Sequence, residues 1–171
     1  MPTKMLNPNT TIWVIPENGV VNPLAPTVTE INAGENISCA ITRGYTLNPT
    51  DSDTDDTASI CDTGNVQNRL YDNYEGEITF FKDATSTDVT SVYNIAFELF
   101  VEPDQRVWIY RRLGKRSTVA ATVGDMVEGF FFTNDRTRSV DGGDAGPIQF
   151  TVPLLAQGNY TGYVAVVAAT P

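Results

Sequence analysis

Short apolar runs with a period of two constrain this chain more than any other feature. Ile148, Phe150, Val152 and Leu154 alternate with other residues, which puts one face of a strand in a core and turns the other away. Comparable short runs cover 11–15, 36–42, 57–61, 66–71, 77–82, 106–113, 127–133, 148–155 and 160–168. They are punctuated by Gly, Pro, Asn and Asp, the residues that close strands with turns. Pro153 lacks an N–H and marks an edge or a bulge in its strand.

One segment departs from this spacing. Val89, Val92, Ala96, Leu99 and Phe100 fall on one helical stripe with Glu98 off it. Asp88 is placed to cap the first turn, and Pro103 follows the last. The expected fold is therefore mainly β, an antiparallel sandwich or barrel with one flanking α-helix at about residues 88–100. Residues 1–171 are read as one domain, with 1–10 as an N-terminal arm and 17–36 and 43–56 as long loops.

Side-chain chemistry narrows function by exclusion. The chain has no histidine, which removes serine–histidine and cysteine–histidine catalysis and the usual transition-metal sites. Cys39 and Cys61 lie in apolar stretches and are expected as buried, reduced thiols, too few for a disulfide framework or a closed zinc site. The run Asp51-Ser52-Asp53-Thr54-Asp55-Asp56, with Asp62 beyond it, superficially matches a calcium loop. It has Asp56 where that loop needs glycine, and Asp62 where it needs glutamate. We read it as a solvated loop. No phosphate-binding glycine pattern is present. No apolar run is long enough for a membrane-spanning helix, and the N-terminus has no signal-type apolar stretch. The reading is a non-enzymatic protein without cofactor or metal, folded in a cytoplasm.

Charge and surface apolarity point toward self-association. The net charge of −10 argues against a generic basic surface for nucleic acid. Residues 1–105 hold sixteen acidic and four basic side chains, whereas 106–171 hold five acidic and seven basic ones. Such asymmetry suits head-to-tail contacts between copies. Several strands are apolar on both sides: Val107 and Ile109 oppose Trp108 and Tyr110, and Phe130 and Phe132 oppose Phe131. Either the chain's own elements cover the second face, or a neighbouring subunit does. Arg106, Trp108, Tyr110, Arg111, Arg112 and Arg116 are candidate interface residues, as are Asp51, Asp53, Asp55 and Asp56 of the acidic segment.

Residues 48–104 carry a resemblance. There NPTDSDTDDTASICDTGNVQ leads into YDNYEGEITFFKDAT, then the helical SVYNIAFELF; the strand RVWIYRRLG follows. In order and texture the chain resembles the major tail (tail tube) proteins of long-tailed phages of the siphophage type, especially those infecting actinobacteria. The resemblance implies a virion subunit, assembled in the host cytoplasm, that closes rings, usually of six copies. Rings stack into a tube around a tape-measure protein, bounded by tip and terminator proteins, and DNA transits the lumen without specific binding. Six copies at −10 each would carry −60, and an acidic lumen would let phosphate slide. Glu77 and Asp83 are the lumen candidates. The segments 1–10, 17–36 and 43–56 are candidates for ring-to-ring contact. A tail terminator, head–tail connector or capsid decoration protein is the alternative, followed by a sugar- or calcium-binding module.

Overall fold

The computed structural model describes residues 9–61, 63–64, 67–140 and 146–169. Eight antiparallel strands form one curled sheet: β1 (Thr10–Pro16), β2 (Glu35–Asn36), β3 (Thr46–Asp55), β4 (Asn68–Phe81), β5 (Arg106–Leu113), β6 (Met126–Asn134), β7 (Arg138–Val140) and β8 (Gln149–Ala165). Their spatial order is β2-β1-β5-β6-β8-β4-β3, with β7 beside the start of β8. Two helices accompany the sheet, α1 (Val28–Ala33) and α2 (Val92–Val101).

The sheet closes on itself through a segment that is not regular strand. The Ile37 N–H donates to the Ile12 carbonyl at 3.1 Å. A few residues later the Thr42 N–H donates to the Thr79 carbonyl (2.8 Å), and the Phe81 N–H to that of Ala40 (3.1 Å). The alternation of Ile37, Cys39 and Ile41 predicts a strand over 36–42. The chain instead spends these residues bridging β1 to β4, with Asn36 pairing opposite Trp13 and Ile41 opposite Phe80. Ile37 and Ala40 are buried, and Cys39 is exposed. Cys61 is exposed as well, so neither cysteine is the buried thiol its apolar neighbours imply.

Alternation sorts the strands into two cores. Ile12, Val14, Ile78, Phe80, Val107, Ile109, Phe130, Phe132, Val152 and Leu154 point into the barrel. One end of it is closed by Ala96 and Phe100 of α2, with Phe100 6.0 Å from Phe80 between ring centroids. On the opposite side of β1, β5 and β6, Trp13, Ile15, Trp108, Tyr110, Val127 and Phe131 form a second cluster with Val20, Ile31 of α1, Ala121 and Val166. The chain's own elements therefore cover both faces of these strands. Each large apolar side chain so buried contributes about 1.5–3 kcal/mol.

Several boundaries differ from expectation. The predicted loop 17–36 contains a 3₁₀ turn at Glu17–Gly19, α1 and β2. The predicted loop 43–56 contains all of β3. The predicted strand 57–61 is irregular and exposed. Of the runs 66–71 and 77–82, residues 68–71 and 77–81 belong to the single strand β4, Val66 lying outside the described residues, and 148–155 and 160–168 lie largely within β8. β8 remains continuous because Gly158 and Gly162, at φ of 76° and 63°, absorb two shifts in its register against β6. Pro153 pairs with Glu77 of β4 on one side. Its carbonyl, on the other side, accepts from the Asp135 N–H between β6 and β7. The missing proline donor thus falls at a break in the ladder, as its chemistry requires.

α2 begins at Val92 with Ser91 at the N-cap, later than the Asp88 cap predicts. The Asp88 carboxylate instead accepts from the Thr90 N–H at 2.9 Å and from its hydroxyl at 2.7 Å. The predicted arm 1–10 is described only from Asn9, and Thr10 already belongs to β1.

Candidate assembly surfaces

The outer face of the sheet is covered over one half only. Where β7, β8, β4 and β3 lie side by side, Val152, Ile78 and Leu47 point inward, and their neighbours point out with no element packed over them among the described residues. Directly opposed residues share a face. Glu77 therefore stands with Pro153 and Thr46, Glu75 with Asn48, and Thr79 with Thr151 and Arg138. The Thr79 and Thr151 hydroxyls are 2.7 Å apart. This four-stranded face is polar, and its outer edges belong to β3 and β7, which have no further strand beside them among the described residues.

Beyond this patch β3 and β4 continue as a two-stranded ribbon. Asp51, Asp53 and Asp56 are exposed and Asp55 is half-buried. The ribbon is held by Asn73 Nδ2, which donates to the Asp51 carbonyl and to Asp53 Oδ1, both at 3.1 Å, and by Arg69 Nε, which donates to Ser52 Oγ at 3.0 Å. The Asp55 carboxylate accepts from the Thr57 hydroxyl and N–H, which holds its pKa below the ordinary range. At the base of the ribbon, buried Tyr74 donates its hydroxyl to the Phe131 carbonyl at 2.5 Å. The same oxygen accepts from Gln157 N–H (3.0 Å) and Asn159 N–H (3.1 Å). Tyr74 thereby ties β4 to the irregular stretch of β8. Gly76 sits two residues away because a Cβ there would meet Phe132 Cζ at 2.6 Å.

The other sequence-predicted residues divide clearly. Trp108, Tyr110 and Arg112 are buried within the chain at 5%, 0% and 1% exposure. They have no free surface for a neighbour. Arg112 donates to Asp125 (2.8 Å), Thr11 Oγ1 (3.0 Å) and the carbonyls of Ala120, Arg116 and Val119. This guanidinium pins the loop between β5 and β6. Burial alone would raise the Asp125 pKa, but hydrogen bonds from Lys115, Arg112 and Thr122 hold it well below the carboxylate range.

Arg111 points into the barrel at the end opposite α2. Its Nε donates to Glu128 at 3.0 Å, and Tyr160 donates to the same carboxylate at 2.9 Å. Arg106 is exposed and pairs with Glu17 at 2.9 Å. Arg116 is exposed at the β5–β6 connection, and its guanidinium makes no ion pair among the described residues. Glu77 is exposed on the uncovered face. Asp83 is half-buried, accepting from Ser91 Oγ (2.7 Å) and Thr85 N–H (2.8 Å), which lowers its pKa. Glu77 and Asp83 thus lie apart in role, one on the open sheet and one bracing the entry to α2.

Among the described residues no group of three or more acidic or cysteine side chains is arranged to hold a metal ion. None of the described helices is long and apolar enough to cross a membrane. What the surface offers is strand edges, a ribbon and charged ends. No curated protein matches this chain. The family described as phage tail tube protein matches residues 1–169. The chain therefore belongs to the phage tail tube proteins, structural and non-enzymatic components of the virion tail that assemble with copies of themselves.

Proposed function

We propose that copies of this chain close a ring, six in number as the family resemblance implies, by joining β3 of one copy to β7 of the next. The observation that carries this reading is the four-stranded patch β7–β8–β4–β3, polar on its uncovered face and, among the described residues, unpaired at both edges. A ten-residue edge strand is a liability in a monomer and a template in an assembly. Within the patch β3 presents Thr46 to Thr50 and β7 presents Arg138, which is paired with Asp135 at 3.5 Å, so backbone pairing carries the join.

Edge-to-edge joining wraps the polar face into the lumen and lines it with Glu75 and Glu77. Fixed carboxylates there repel phosphate, and DNA passes through without the counterion release that would hold it. Strands then run along the tube, so their ends face the rings above and below. The ribbon of β3 and β4 extends in that direction, which makes Asp51, Asp53, Asp55 and Asp56 ring-to-ring contacts. A tape-measure protein in the lumen and tip and terminator proteins at the ends complete the tail of a siphophage. Electron microscopy of the purified protein at high concentration tests the reading. Long tubes are expected. A single closed ring, a trimer or a persistent monomer overturns it, the first two favouring a terminator, connector or decoration protein.

A further inference from the structure

The base of the ribbon borders a groove of about 540 Å³, within the range of about 300–1,000 Å³ that ligand sites occupy. Residues 22–24, residues 70–72 of β4 and residues 158–161 of β8 line it, together with Trp108. Its backbone is set in place by the chain itself. Tyr110 donates its hydroxyl to the Pro23 carbonyl at 3.2 Å, and Asn22 Oδ1 accepts from the Leu24 N–H at 3.1 Å. The Tyr74 hydroxyl accepts from the Asn159 N–H at 3.1 Å. Gly158, at φ of 76°, has open space where a side chain would stand. A groove fixed in this way costs little further ordering when it binds.

The lining is aromatic, polar and without a cation. No lysine or arginine belongs to it, and Asp72, its one carboxylate, is engaged by Arg69 from outside. Three of its polar groups stand unpaired: the Trp108 indole N–H, the Tyr71 hydroxyl and the Asn159 side-chain amide have no hydrogen-bond partner among the described residues. Trp108 is 5% exposed, with Phe131 stacked on it at 4.8 Å between centroids. Its indole nitrogen is nonetheless not sealed from solvent, and the groove is where this side chain surfaces. A donor on so deeply buried a side chain is ordinarily paired. Tyr71 is 70% exposed, which leaves its ring open.

We infer that this groove binds a neutral saccharide, with a sugar ring on the open face of Tyr71 and its hydroxyls on the Trp108 N–H and the Asn159 amide. A pyranose combines a C–H face, which suits an aromatic ring, with a rim of hydroxyls that both donate and accept. A wholly apolar ligand would leave the indole N–H unpaired. A phosphate or carboxylate ligand would meet Asp72 and no cation in the lining. The site is complete within one chain, so it goes beyond the ring-and-tube reading and does not depend on it. A virion tail with such a site holds carbohydrate as well as enclosing a channel.

Titration of dilute, unassembled protein with maltose, cellobiose, α-1,6-mannobiose and N,N′-diacetylchitobiose tests it, read by tryptophan fluorescence and by calorimetry. At least one of these sugars is expected to bind saturably, with a Kd of about 1 mM or lower. The fluorescence change is expected from Trp108, since Trp13 is buried and does not line the groove. Tyr71→Ala and Asn159→Ala remove side chains that make no hydrogen bond among the described residues. Each is expected to weaken binding at least about tenfold at an unchanged thermal midpoint. Glucose 6-phosphate is expected to bind no more tightly than glucose. No saturable binding by any of these sugars, unchanged affinity in either variant, or a preference for the phosphorylated sugar overturns the inference. Tubes that Tyr71→Ala abolishes, in a protein that binds no sugar, assign the groove to a second copy and overturn the inference while the tube reading stands. Sugar binding by a protein that never forms tubes supports the inference and overturns the tube reading alone.

Discussion

Replacing Arg112 with methionine separates a core role from an interface role for the most heavily bonded cation in the chain. The side chain is 1% exposed, makes five hydrogen bonds and stacks over Trp13 at 4.9 Å. Methionine keeps the apolar stem but leaves Asp125, 7% exposed, with Lys115 as its one remaining cationic partner. It also strips donors from three carbonyls of the β5–β6 loop. Removing one member of a buried ion pair costs about 3–5 kcal/mol, a large share of the roughly 5–15 kcal/mol that stabilises a typical domain. At about 2–4 °C per kcal/mol for a chain this long, the thermal midpoint should fall by about 6–20 °C. Urea unfolding of dilute, unassembled protein, followed by tryptophan fluorescence, measures it directly, since Trp13 lies beneath the guanidinium. A double variant, Arg112→Met with Asp125→Leu, should recover part of the loss. A cost below about 1 kcal/mol with an unchanged urea slope would refute the core assignment. It would return Arg112 to the subunit interface, where its loss affects assembly alone.

Other consequences follow from the same geometry. The folded-state pKa of Asp125 is depressed, so its contribution is fully present above its ordinary value of 3.8 and is lost as the pH falls through the folded value. Asp125→Asn should flatten the acid limb of a stability–pH curve, and an unaltered limb contradicts the ion-pair account. Tyr74→Phe leaves the N–H groups of Gln157 and Asn159 without their acceptor and should cost about 1–3 kcal/mol, read by thermal unfolding; no change would show that water replaces the hydroxyl. Both thiols should react with an aromatic disulfide reagent in the folded subunit at rates near those of the unfolded chain, whereas strong protection of either contradicts its exposure. Glu77→Lys should leave tubes intact and slow DNA ejection from virions, and normal ejection kinetics count against a repulsive acidic lining.

Sequence patterns are most informative here where a strand is ordinary. β5 spans the same residues in pattern and in structure, because a run of β-branched and aromatic residues lies between the charged Arg106 and Gly114, whose φ of 97° ends the strand. β6 is legible from the same kind of run. The α2 stripe is legible, but its start is not, since Asp88 turns its carboxylate onto Thr90 and leaves the N-cap to Ser91. β3 is masked because Pro49 and a row of aspartates read as loop, and they do so for a physical cause: a strand exposed on both faces needs no apolar alternation. α1 carries a signal that hydropathy passes over. Thr27 and Glu30 form a reciprocal capping box, with Glu30 N–H to Thr27 Oγ1 at 3.2 Å and Thr27 N–H to Glu30 at 2.7 Å. Six residues are too few for a periodic stripe to emerge.

The interface candidates show the same division. Aromatic and arginine side chains on the second face of a strand fit a subunit contact and an internal second core equally well in sequence. Coverage by α1, Val20 and Val166 decides for the core at Trp108 and Tyr110.

Cryo-electron microscopy of tubes grown from the purified protein tests the central claim most directly. The account predicts that the face carrying Glu75 and Glu77 lines the lumen, with β3 of each subunit paired to β7 of its neighbour. A tube in which the α1 side faces the lumen, or in which β3 has no strand beside it, would contradict the account.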